Sequence, residues 1–207
     1  MKKPMDSELF ISEQKRMLAE NPECANSSYN LGVALMEKGD YDGAVDAFKD
    51  AIANSARMFE AYVNLGFIHF QQGELEEVVE MNRKAIEIEP RYARGYANIG
   101  FAYLQMSCAE EAIEALERAI ELNPMIVQAW SNLINAYLQK GDAARAVEVG
   151  EKVVGMAPEF ALGHNNLAVA LYNLGNMEKA REHYERAVEL GFEPHPEFAA
   201  ALEAGAR

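Results

Sequence analysis

Tyr96-Ala-Asn-Ile-Gly100 decides the fold of this chain, because near copies of it return at one fixed interval on either side. They are Tyr29-Asn-Leu-Gly32, Tyr62-Val-Asn-Leu-Gly66, Trp130-Ser-Asn-Leu-Ile134 and His164-Asn-Asn-Leu-Ala168. Gly32, Gly66 and Gly100 are each one step of 34 residues apart, and Ile134 and Ala168 keep the step. A period of that length signals supersecondary units stacked in a row, each covering the apolar face of its neighbour. The units predicted are 25–58, 59–92, 93–126, 127–160 and 161–194, with an N-terminal tail and capping helix in 1–24 and a C-terminal capping helix and tail in 195–207.

Each unit reads as helix, tight turn, helix. Gly39-Asp40, Gly73-Glu74, Gly141-Asp142 and Gly175-Asn176 mark the turns, with Gly suited to a left-handed residue after one helix and Asp or Asn to capping the next. The third unit has Ser107-Cys108 instead, and Ser is expected to supply the cap. Pro90, Pro124 and Pro158 close three of the second helices. Tyr96, Ile99, Gly100 and Tyr103, at the fourth, seventh, eighth and eleventh places of their unit, fall on one helical stripe, and Ala112, Leu116 and Ala119 answer from the second helix.

These aromatic, Leu-Gly, Tyr, Ala, aromatic, Ala and Pro positions, in units of this length, resemble the tetratricopeptide repeat family from about residue 9 onward. The resemblance implies an all-α, right-handed solenoid of stacked antiparallel helix pairs, with the first helices lining a concave groove. His164, Ile134, Ala168, Asn82 and Gly150 depart from the family pattern, and looser packing is expected there.

Opposite the packing stripe, the second, fifth, sixth, ninth, twelfth and thirteenth places form another. In the family this face lines the groove. The sixth place is Asn in every unit, as Asn30, Asn64, Asn98, Asn132 and Asn166, and Gln71, Gln105 and Gln139 repeat amide chemistry at the thirteenth. An amide both donates and accepts, so such a row can hold the backbone of an extended peptide. Phe67, Phe70, Phe101 and Leu104 are the candidate apolar anchors between the amides, and Arg94 is the candidate partner for a carboxylate. The family's clamp for a terminal carboxylate would fall on Tyr29, Val33, Asn64, Arg94 and Asn98, or one unit later on Val63, Phe67, Asn98, Gln128 and Asn132. Neither set has the required amides and cations.

Charge narrows the partner. The 33 acidic residues against 19 basic ones leave −14, which argues against nucleic acid and anionic membrane surfaces and for a protein segment that is neutral to basic and partly hydrophobic. The chain shows no leader of signal type, no membrane-length apolar run and no close cysteine pair, so the cytoplasm is expected. His69, His164, His183 and His195 are scattered, and no phosphate loop, nucleophile motif or zinc spacing occurs, so no catalysis, metal or cofactor is expected. The reading is a peptide-binding scaffold, with a self-associating assembly module as the alternative.

Overall fold

The computed structural model describes residues 7–193 and 195–204; the tails expected at either end lie largely outside the described residues. Every regular element in it is an α-helix: α1 Ser7–Glu20, α2 Ala25–Glu37, α3 Tyr41–Asn54, α4 Phe59–Gln72, α5 Leu75–Ile88, α6 Ala93–Gln105, α7 Ala109–Leu122, α8 Val127–Lys140, α9 Ala143–Met156, α10 Ala161–Asn173, α11 Met177–Glu189 and α12 Pro196–Ala204. They form two compact units, residues 1–95 and 96–207. In the first, α2 packs on α3, α4 on α5, and α1 covers α2. In the second, α8 packs on α9 and α10 on α11, while α8 and α10 lie side by side.

The turns within pairs share one construction. The amide after the left-handed residue donates five residues back, from Asp40 to Leu35, Glu74 to His69, Cys108 to Tyr103, Asp142 to Tyr137 and Asn176 to Leu171. This bond satisfies carbonyls that a helix end leaves open. Gly39, Gly73, Gly141 and Gly175 have φ between 77° and 85°, and Ser107 takes the same conformation at 62°. Ser107 therefore fills the glycine role rather than the cap. The capping place falls to Cys108, whose side chain makes no cap bond, whereas Asp40, Asp142 and Asn176 each accept an amide three residues on.

Packing within a pair rests on a small residue facing a large one. A Cβ on Gly32 would lie 2.7 Å from the ring of fully buried Phe48, and one on Gly100 would lie 2.5 Å from Leu116 Cγ. The fourth repeat exchanges the two sizes. Ile134, fully buried, takes the glycine place, and the large place is Gly150, over which Leu167 of α10 lies 2.8 Å from where a Cβ would be. Looser packing was the expectation at these departures, and the structure corrects it, because a neighbouring side chain occupies the space. Asn82 likewise is fully buried, with Nδ2 donating to the Val78 carbonyl at 2.8 Å.

Candidate functional site

In the first unit, α4 carries an exposed aromatic pair. Phe67 is 46% exposed and Phe70 39%, and the spacing of three sets them on one side of the helix, with Gln71 exposed beside them. The helix can place them there because Ala61, Leu65, Gly66 and Ile68 serve its buried side. Asn30 and Arg94 are exposed, and Asn30 lines a cleft of about 360 Å3 with Phe10, Tyr29, Val33 and Glu37. Asn64 is half-buried, and its Nδ2 donates to Tyr29 Oη at 3.3 Å.

In the second unit the amides divide. Asn98, Gln105 and Gln139 are exposed, whereas Asn132 and Asn166 are buried. Asn166 Nδ2 donates to Ser131 Oγ at 2.7 Å, and Gln139 Nε2 reaches the Leu104 carbonyl at 3.4 Å. Asn132 Oδ1 accepts from Gln128 at 3.2 Å. Phe101 is half-buried, and Leu104 is buried in the core with Leu133 and Ala136.

The sequence pattern puts all five Asn on one exposed row, and the structure does not. Three amides, Asn64, Gln139 and Asn166, bond a residue 35 positions earlier, which is the preceding place of the preceding repeat. A side-chain bond forms from the sixth place where the earlier fifth place is a hydroxyl, Tyr29 or Ser131. That hydroxyl was the available signal in the sequence. A buried amide bonded in this way is a tie between repeats.

The second unit also contains a histidine pair that residue patterns did not join. His164 of α10 is buried, its Nε2 is 3.0 Å from the Pro158 carbonyl, and its Nδ1 is 3.0 Å from His183 Nδ1 of α11. A carbonyl only accepts, so His164 carries its proton on Nε2 and His183 donates from Nδ1. Burial, then the neighbouring His164, holds the His183 pKa below the usual histidine range, with Glu182 and Glu151 acting weakly the other way. A depressed folded pKa means that the unfolded chain binds the proton more readily, so stability is lost as pH falls through the ordinary histidine value of about 6.5. Below the folded pKa the loss is complete. Urea unfolding at pH 5 and 7.5 measures this loss, and His183→Asn, which keeps a donor near His164, should remove that component.

Among the described residues, no three metal-ligating side chains gather, and no helix is long and apolar enough to cross a membrane.

Comparison with known proteins gives the lineage of this arrangement. A family model described as tetratricopeptide repeat matches residues 15–58, 29–93 and 99–159, and a second model of the same description matches 161–191. No curated protein sequence matches the chain. Among solved structures, MamA is similar at 26% identity and TM-score 0.75, covering 82% of this chain and 92% of its own. YrrB, described as a TPR protein with an unusual peptide-binding site, gives 21% and 0.77 over 94% of this chain and 98% of its own. PilF of Pseudomonas aeruginosa gives 23% and 0.70, over 84% and 79%. The fold class is thus the all-α, right-handed solenoid of stacked antiparallel helix pairs.

Proposed function

The chain belongs to the tetratricopeptide repeat family, whose members are protein–protein interaction modules, and from that premise we propose that it is a cytoplasmic, non-catalytic scaffold holding an extended segment of a partner protein. The observation that carries this reading is the pair Phe67 and Phe70, large aromatics on successive turns of α4 that stay more than a third exposed in the folded chain. Such a patch has a use when a partner covers it. In the first unit Asn30 and Gln71 would hold the partner's backbone and Arg94 would meet a carboxylate; in the second, Asn98 and Gln105 would hold backbone and Phe101 would offer an apolar contact. Asn64, Asn132, Asn166, Gln139 and Leu104 contribute by fixing the helices that carry these groups. With the chain at −14, a neutral to basic segment suits it.

Peptides selected from a displayed random library on the intact chain provide the test. They should be rich in apolar and basic residues, and Phe67→Ala should weaken them about tenfold, the loss expected for a buried aromatic anchor. Asn98→Ala should also weaken them. Asn166→Ala should instead cost about 1–3 kcal/mol of stability, because Ser131 loses a buried partner. Selected peptides indifferent to Phe67 and Asn98 would sink the reading.

The self-association alternative has one feature in its favour, the exposure of Leu9 and Met17 on α1. Light scattering across a concentration series separates the two readings. A monomer supports the scaffold, and an oligomer lost on deleting residues 1–20 supports assembly.

A further inference from the structure

The second helices of the third and fourth repeats enclose a cleft of about 260 Å3 that the first-helix reading does not use. Its floor is apolar, built from Ile120 of α7, Leu133 of α8 and Val149 of α9. Trp130 and Tyr137, both half-buried on α8, form its aromatic wall. The indole Nε1 donates to the Pro124 carbonyl at 2.8 Å, which fixes the ring and leaves its π surface as what it offers a ligand. The volume falls short of the usual range for a whole small-molecule ligand and suits one long side chain.

Charge decides which one. On the α9 rim, Glu148 is held by both Arg145 at 2.9 Å and Lys152 at 3.1 Å. On the α7 rim, Glu121 is paired with Arg118. Glu117 differs, because the partner it has is neutral: Tyr137 Oη donates to its Oε1 at 2.8 Å. Burial and this carboxylate push the Tyr137 pKa up to about 12, so the phenol stays protonated and keeps donating to the carboxylate. A carboxylate uncompensated by a cation, set beside a fixed aromatic face over an apolar floor, matches a flat cation on an aliphatic stem. Guanidinium can stack on the indole and bond the carboxylate at once, whereas an anion would meet Glu117 and two cations already committed to Glu148.

We infer that this cleft is a receptor for an arginine side chain of a protein partner, separate from the first-helix face. Trp130 is the single tryptophan of the chain and so reports on the cleft directly. The intact protein is titrated with acetyl-Gly-Arg-Gly-amide, and with the same peptide carrying citrulline, the neutral isostere, while Trp130 fluorescence and its indole NMR signal are followed. The arginine peptide should saturate both signals and the citrulline peptide should bind at least about tenfold more weakly, as expected for loss of a charge-assisted contact. Glu117→Gln should weaken the arginine peptide about as much, with helicity and melting unchanged because Glu117 is exposed. No saturable response to the arginine peptide, equal binding of citrulline, or unaltered affinity in Glu117→Gln overturns the assignment.

Discussion

Phe48→Ala will lower the stability of the unit formed by residues 1–95 by about 3–5 kcal/mol, the cost of emptying a fully buried aromatic site. That is a large share of the 5–15 kcal/mol that holds a typical domain together, so this unit should unfold at clearly lower urea concentration. The ring lies 5.8 Å from that of Tyr29 and covers the backbone of Gly32, so its loss opens the seam between α2 and α3. The same geometry predicts a change of sign. Gly32→Ala alone should destabilise, because a Cβ 2.7 Å from a rigid ring costs more than the helix gains from Ala over Gly, about 1 kcal/mol. In the Phe48→Ala background the ring is gone and Gly32→Ala should stabilise. Urea unfolding of the two single variants and the double variant, followed by circular dichroism, measures this coupling. Additive effects would show that the ring and the glycine do not share one space.

Gly100→Ala should cost the second unit about 2 kcal/mol. The added Cβ meets Leu116 Cγ at 2.5 Å and the Ala112 carbonyl oxygen at 3.1 Å, and neither is the free end of a flexible side chain. Gly155→Ala is the matched control. It lies in α9 with nothing within 4 Å of its Cβ position, so only the helix preference acts and the variant should be more stable by up to about 1 kcal/mol. Two glycines in helices thus respond oppositely, and thermal melting distinguishes them.

The sequence discloses helix existence and pairing well, because the period, the turn glycines and the facing small and large residues are local or recur at a fixed offset. Ser107 shows the limit of this. Its place in the turn was visible, but its role depended on register, since it replaces the glycine rather than the following Asp. The candidate site was less legible. Asn98 and Asn166 are the same residue at the same place of the repeat, yet one is exposed and the other buried. What separates them is a hydroxyl one repeat away together with the closeness of the next helix, and single-repeat patterns carry neither. The His164–His183 contact was hidden for a related reason. Each histidine occupies a place that repeats elsewhere fill with other residues, so only packing joins them. The Trp130 cleft needed three helices to exist at once.

The exchanged sizes at Ile134 and Gly150 bear on how such an array can be rearranged. Leu167 belongs to the fifth repeat but completes the fourth, where it lies against a glycine. Leu133 holds the same place of the fourth repeat, but it follows Leu116, which fills its own space. The fourth repeat is therefore complete only with the fifth behind it, and the 34-residue period marks a unit of geometry that is not everywhere a unit of packing.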